Sequence, residues 1–114
     1  MAAQPKITQD PLYQLLRDEN VAEFNAQRAK GVPCDMRGVD LRGLDLRNLN
    51  VDGLDFTDAY FRGADLRGVD FRKAKLEGVS LNSANISGCY FPPELRAEEI
   101  LLSVSHGIRI RYKA

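Results

Sequence analysis

Apolar and polar residues recur with a period of five along the middle of this chain. From Cys34 to Pro93 the sequence divides into twelve consecutive pentapeptides, each with a large apolar residue at its third position and another apolar residue two places earlier. An α-helix repeats every 3.6 residues and a flat strand every two, so neither explains the period alone. The large residues are Met36, Leu41, Leu46, Val51, Phe56, Phe61, Leu66, Phe71, Leu76, Leu81, Ile86 and Phe91.

A short extended segment followed by a corner fits this period. If the first and third residues point inward, the second points outward, and the last two form a turn. Eight of the twelve last positions are Gly or Asn, which suits the positive φ of a type II turn, whereas Asp58, Lys73 and Ser83 favour a type I turn. One such unit cannot bury its inner face alone. The units are therefore expected to wind into a coil whose turns stack through backbone hydrogen bonds.

Helices are predicted on both sides of the repeat. Asp10 before Pro11 favours a helix at roughly 11–18, and Asn20 with Glu23 favours a second at 21–30. Pro92 ends the repeat because it cannot donate a ladder hydrogen bond. A helix at about 93–105 is then predicted to cover the last coil with one apolar face, which consists of Ala97, Ile100, Leu101 and Val104.

These elements predict one domain in three parts. Residues 1–33 form an N-terminal tail, expected to be mobile over residues 1–9, and a helical cap; residues 34–93 form the repeat. Residues 94–114 form a C-terminal helix and a strand-like tail, in which apolar and basic residues alternate. That tail is expected either to pack on its own chain or to mediate self-association with a second subunit.

The pentapeptides resemble those of the pentapeptide-repeat family, whose pattern is a small residue, Asp or Asn, Leu or Phe, and two variable residues. ADLRG and ANISG match this pattern closely, VDLRG and VDFRK nearly so, and the resemblance covers about half of the chain. It implies an all-β repeat, a right-handed quadrilateral β-helix of about three coils with four pentapeptides per coil, capped here by the flanking helices. The implied structural core is Leu41, Leu46, Phe56, Phe61, Leu66, Phe71, Leu76, Leu81, Ile86 and Phe91.

Composition gives no sign of a polyanionic or membrane partner. Charged residues make up 28% of the chain, but the formal net charge is +0, so no global field attracts nucleic acid or an anionic membrane. The N-terminus lacks the apolar core of a signal peptide, and no apolar run is long enough to span a bilayer. The expectation is a cytoplasmic protein without membrane contact.

The sequence also lacks a recognisable catalytic, metal or cofactor motif, so we expect a protein that is not an enzyme and needs no cofactor or metal. His106 lies near Ser103 and Ser105, but without a second base or a nucleophile elbow. Cys34 and Cys89 occupy inner positions two coils apart, too far for a disulfide, and are interpreted as reduced core thiols.

The outer surface is the remaining candidate for function. Six pentapeptides have Asp at the second position and six have Arg at the fourth, which makes the surface a lattice of opposite charges. Most such pairs are solvated and contribute little. The sharper hypothesis is an arginine corner that holds a carboxylate or phosphate of a partner. Its members, on neighbouring sides of the coil, are Arg42, Arg47, Arg62 and Arg67.

Three functions follow from these observations. The preferred one is a small bacterial interaction or scaffold module with an unidentified protein partner. Because some proteins of the family protect DNA gyrase by imitating DNA, the resemblance also implies a DNA-mimic alternative. Against it, residues 34–93 carry nine acidic and eight basic side chains, whereas duplex DNA of the same ~14 Å length carries about eight negative charges. Nucleic-acid or anion binding through the arginine corner is the third, with nucleic acid the less favoured ligand.

Overall fold

Three helices flank the repeat in the computed structural model, which describes residues 4–113. They are α1 (Pro11–Arg17), α2 (Val21–Ala29) and α3 (Ala97–His106). The predicted N-caps are confirmed: the Asp10 carboxylate accepts the Leu12 N–H, and the Asn20 side chain accepts the Glu23 N–H. Within residues 4–113 no helix is long and apolar enough to cross a membrane. The expectations for residues 1–3 and Ala114 lie outside the described residues.

The predicted all-β fold class is wrong, and the right-handed quadrilateral β-helix predicted with it is wrong for the same reason. Between α2 and α3, the described chain forms isolated parallel bridges and turns, without a strand or a sheet. Each pentapeptide bends at its last two residues, so typically only its second residue pairs with a neighbour before the chain turns away. Asp40 pairs with Tyr60, for example, and Tyr60 with Ser80. A single paired residue is too short to constitute a strand.

The bridges within the repeat join residues twenty apart, which is four pentapeptides. We therefore call residues 34–53, 54–73 and 74–93 the first, second and third coil. Backbone hydrogen bonds stack them in a regular order: Leu41 N–H donates to Tyr60 C=O at 2.8 Å, and Tyr60 N–H donates to Val39 C=O at 3.0 Å. Stacking through the backbone explains why the sequence keeps its period of five.

The corner residues tolerate positive φ even where the residue is not glycine. Asp58 has φ 63° and Ser83 has φ 60°, close to the glycine corners, so the type I turns predicted at these two residues are wrong. Lys73, in contrast, keeps a negative φ. At most corners of the first two coils the last residue donates its N–H to a C=O nineteen residues further along, as Asp58 does to Glu77. At the Lys73 corner the acceptor is shifted by one residue, because Gly53 N–H donates to Lys73 C=O, twenty residues further along.

The apolar core lies inside the coils. Phe56 and Phe61 pack edge to face with ring centroids 5.3 Å apart, and the rings of Phe71 and Phe91 stack at 5.6 Å. Of the ten predicted core residues, eight are buried, and Ile86 and Phe91, both in the third coil, are half-buried.

The N-terminal segment closes the first coil on all four pentapeptides. In each of them the second residue directs its N–H away from the second coil, toward α1, α2 and the chain before them. The four N–H···O contacts are Asp35 to Asp10 Oδ2 (3.0 Å), Asp40 to Lys6 C=O (2.8 Å), Asp45 to Glu19 Oε2 and Asn50 to Asn25 Oδ1 (2.9 Å). Because Lys6 also forms a bridge to Val39, the mobile tail predicted for residues 1–9 is wrong at Lys6.

The C-terminal segment covers the third coil with a face of α3 that overlaps only partly with the predicted one. Of the four predicted residues, Ile100 and Val104 are half-buried and pack against the core. Leu101 is 62% exposed, whereas Glu99 and Ser103 are buried. Ser103 faces inward because the third coil has N–H groups without a further coil above them, and its Oγ accepts the Leu81 N–H at 2.8 Å. Glu99 instead accepts the N–H of Arg111 in the C-terminal tail at 3.0 Å. The tail packs on its own chain: Ile110 accepts the Gly78 N–H at 2.8 Å and donates to Val79 C=O at 2.9 Å.

Candidate functional site: the Asp–Arg forks and the arginine cluster

Five of the six arginines at the fourth position of a pentapeptide pair with the Asp of the same pentapeptide. In each of five units, the Asp at the second position accepts two side-chain N–H groups and the backbone N–H of the Arg two residues later. In the Asp40–Arg42 unit these three bonds measure 2.9, 2.9 and 3.1 Å. We call this arrangement a fork. The forks are Asp35–Arg37, Asp40–Arg42, Asp45–Arg47, Asp65–Arg67 and Asp70–Arg72.

The forks keep these carboxylates ionised. Hydrogen bonds from the Arg37 side chain and backbone lower the pKa of Asp35 from 3.8 to about 2. Arg47 and Arg72 lower the pKa of Asp45 and Asp70 to about 2 in the same way. Each forked carboxylate therefore has its charge compensated by a guanidinium two residues away, so the forked faces present no uncompensated row of either sign.

The four arginines of the arginine corner differ in how they are bound by carboxylates. Arg67 contacts Asp65 at 2.7 Å, and Arg47 contacts both Asp45 at 2.7 Å and Asp65 at 3.5 Å. These two guanidinium groups are thus held by carboxylates of the chain itself. Arg42 also belongs to a fork, but with a carboxylate that is largely covered: the Asp40 side chain is 9% exposed and that of Arg42 49%.

Arg62 differs from the other corner arginines. Its pentapeptide is AYFRG, with Tyr60 where the forked units have Asp, and within residues 4–113 Arg62 forms no ion pair. Tyr60 interacts instead with Arg109, whose guanidinium carbon lies 4.9 Å from the ring centroid. The sequence carried a signal for this difference, because Tyr replaces the acidic partner.

A shallow depression brings Arg62 together with two further guanidinium groups. Arg17 enters it from α1, with Nη1 3.5 Å from the Asp40 carbonyl oxygen, and Arg42 lies beside it. The depression has a volume of about 560 Å³, and its formal charge is +2, from three arginines and Asp40. We call it the cationic depression; it is lined by Arg17, Asp40, Arg42, Gly43, Arg62 and Gly63. Arg17 had no recognisable signal in the sequence, since it belongs to a helix outside the repeat.

The other residues considered for chemistry lie apart from this depression. Ser103 is buried on the inner face of α3 as a hydrogen-bond acceptor, and His106, the last residue of that helix, is exposed. Cys34 and Cys89 are free and half-buried, and burial raises the pKa of both thiols. Cys89 Sγ–H donates to Leu66 C=O at 2.9 Å, which is a packing role.

Comparison with known proteins identifies the family of the repeat. A family model described as pentapeptide repeats matches residues 34–72 and 55–91, with eight copies. Together these matches span just over half of the chain, and the chain belongs to the pentapeptide-repeat family. Neither a curated protein nor a solved structure matches it significantly. Membership suggests a non-catalytic repeat module and identifies no particular partner.

Proposed function

We propose that the protein is a non-catalytic interaction module that binds an acidic group of a partner protein in the cationic depression. The observation that carries this proposal is the unpaired state of Arg62 within the described chain, beside five arginines that are each bound by an aspartate. A guanidinium without a carboxylate partner retains its full capacity to bind one from another molecule.

The surroundings of Arg62 support an anionic ligand. Asp40 orients Arg42 through its fork but is itself mostly covered, so the exposed groups of the depression are predominantly guanidinium N–H donors. Guanidinium groups bind carboxylates and phosphates through paired hydrogen bonds, and a partly fixed donor loses less entropy when it binds. Gly43 and Gly63 leave open space beside the arginines, since a Cβ at either glycine would meet no atom within 4 Å.

The forked faces give less support to the other candidate functions. A DNA mimic that acts on gyrase requires a row of uncompensated negative charge, whereas five aspartates of the repeat are each bound to an arginine. Nucleic acid requires a run of free cations, whereas Arg47 and Arg67 are held by Asp45 and Asp65. The proposal also includes a bacterial origin and a cytoplasmic location. It further includes the division of the chain into an N-terminal cap at 1–33 and a repeat at 34–93.

Isothermal titration of the full chain with a phosphoserine peptide and with a tetraglutamate peptide tests the proposal. We expect Arg62→Ala to weaken binding of whichever peptide binds more tightly by at least about tenfold, because the variant loses one or more charge-assisted hydrogen bonds. Arg67→Ala is the matched control, because it makes the same change of charge at the same pentapeptide position. We expect it to weaken binding less than about threefold. Equal losses from both variants, or no binding of either peptide, would contradict the proposal.

A further inference from the structure

The two ends of the coil are closed to different extents. At the first coil, four N–H groups, one in each pentapeptide, have an acceptor in the N-terminal segment. At the third coil, the described part of the C-terminal segment, up to residue 113, binds N–H groups only between residues 76 and 83. Further along, the N–H groups of Ile86 and Gly88 and the C=O of Ala84 have no hydrogen-bond partner within residues 4–113. We call these three backbone groups the open edge.

The stacking pattern one coil below shows what the open edge is shaped to bind. There the corresponding groups belong to Ala64, Leu66 and Gly68. Ala64 C=O accepts the Asn85 N–H, Leu66 N–H donates to Asn85 C=O, and Gly68 N–H donates to Ser87 C=O, all at 2.9 Å. An extended segment that offers one N–H and two C=O groups in this order therefore satisfies all three groups.

Segments from outside the repeat already bind to other parts of the coil in this way. Lys6 donates to Gly38 C=O at 2.9 Å and accepts the Asp40 N–H at 2.8 Å. Ile110 similarly accepts the Gly78 N–H and donates to Val79 C=O. Binding an extended residue to an unpaired coil edge is thus a device that this chain uses twice with its own termini.

The chemistry around the open edge restricts the segment that fits it. Residues 78–93 contain no charged side chain, unlike the first two coils. Four half-buried apolar side chains pack against the core at this end, namely Ile86, Phe91, Ile100 and Val104. Leu101 is 62% exposed on the same helix as the last two. An uncharged segment with an apolar side chain over Ile86 extends this packing without burying a charge.

We propose that the open edge of Ala84, Ile86 and Gly88 binds an extended, uncharged segment of a partner protein, which adds one further rung to the coil. Main-chain hydrogen bonds supply the attachment and the apolar position supplies selectivity, as in other cases where a peptide adds to an exposed edge. The preferred segment has a small residue, a polar residue and an aliphatic residue in succession, because that order continues the column of Ala64, Asp65, Leu66 and Ala84, Asn85, Ile86. This surface is separate from the cationic depression, and the two proposals stand independently.

Amide NMR titration of the ¹⁵N-labelled full chain tests this inference. The probe is the capped peptide Ser-Ala-Asn-Ile-Ser-Gly, which has the sequence of residues 83–88. We expect shifts concentrated at the amides of Ile86 and Gly88, slower hydrogen exchange there, and no comparable change at Asp35 or Asp40. The control peptide carries an N-methyl group on its Asn, which removes the donor to Ala84 C=O. We expect it to bind about tenfold more weakly.

Three results would overturn the inference. The first is the absence of shifts at about 10 mM peptide, a concentration that detects even millimolar affinity. The second is equal binding of the N-methylated peptide, which would show that main-chain pairing is not used. The third is protection of Ile86 and Gly88 that rises with protein concentration in the absence of peptide, because the occupant would then be a second copy of the chain.

Discussion

At the scale of single residues, the outer face is organised by the interval between Asp and Arg. The second and fourth positions of a pentapeptide lie on either side of an inward-pointing residue, so both side chains point outward and meet. The backbone N–H of the Arg adds a third bond to the Asp, which fixes the start of the corner. The fork is therefore a local structure that a D-x-R sequence specifies by itself.

We expect the forks to make the stability of the protein sensitive to acid. The pKa values of Asp35, Asp45 and Asp70 are lowered in the folded state to about 2. Their stabilisation is fully present above the usual value of 3.8 and is lost as the pH falls toward 2. The free energy of unfolding in urea should thus decrease between about pH 5 and pH 2. Asp70→Asn should show a shallower decrease, and an unchanged slope would contradict the role given to the forks.

The corner at Ser83 carries a strain that glycine would relieve. Ser83 has φ 60°, a backbone conformation that destabilises the folded state by about 1–2 kcal/mol for an L-residue. Glycine avoids this strain, but its greater freedom in the unfolded chain lowers stability by about 0.5–1 kcal/mol. Ser83→Gly should therefore raise the free energy of unfolding by about 0.5–1 kcal/mol, measured by urea denaturation. Lys73→Gly is the matched control at the same pentapeptide position. Because Lys73 has negative φ, Lys73→Gly should lower the free energy of unfolding by about 0.5–1 kcal/mol. The same sign for both variants would show that corner strain does not decide the effect.

At the scale of elements, the caps of α1 and α2 and the existence of α3 could be predicted from sequence because their signals are local. The orientation of α3 could not. Its apolar residues favoured burial of Leu101, but the third coil presents an unpaired N–H at Leu81, and Ser103 turns inward to accept it. Similarly, Arg17 joins Arg62 only because α1 packs on the first coil. Contacts between elements that are distant in sequence leave no periodic signal along the chain.

The inward-facing hydroxyl of α3 should be important for stability. Ser103→Ala leaves the buried N–H of Leu81 without an acceptor, which costs about 1–3 kcal/mol. Ser105→Ala makes the same change two residues further along α3, at an exposed position, and should stay within about 0.5 kcal/mol of the wild type. Thermal and urea unfolding of both variants measures the difference. Equal stabilities would mean that water replaces the Ser103 hydroxyl at Leu81.

At the scale of the whole molecule, three stacked coils are short enough for their ends to matter as much as their interior. The middle coil makes backbone hydrogen bonds on both sides, whereas each outer coil depends on segments that are not part of the repeat. The N-terminal segment reaches all four pentapeptides of the first coil, whereas the C-terminal segment, as far as residue 113, reaches only part of the third. Ile86 and Phe91, the two predicted core residues that are only half-buried, both lie where the C-terminal cover ends.

Hydrogen exchange should reveal this difference between the two ends. The amides of Asp45 and Asn50 are capped by Glu19 and Asn25, so exchange there requires local opening of the N-terminal segment and should be slow. The amides of Ile86 and Gly88 need no opening, because no protein acceptor in the described chain holds them. They should exchange near the rate of an unstructured peptide.

Leu66 and Gly68, one coil below, provide the internal reference, since their amides are bonded to Asn85 and Ser87. Strong protection of Ile86 and Gly88 in dilute protein would mean that the end of the third coil is already covered. The difference between the two ends of the coil, on which binding of a partner segment to the open edge depends, would then be absent.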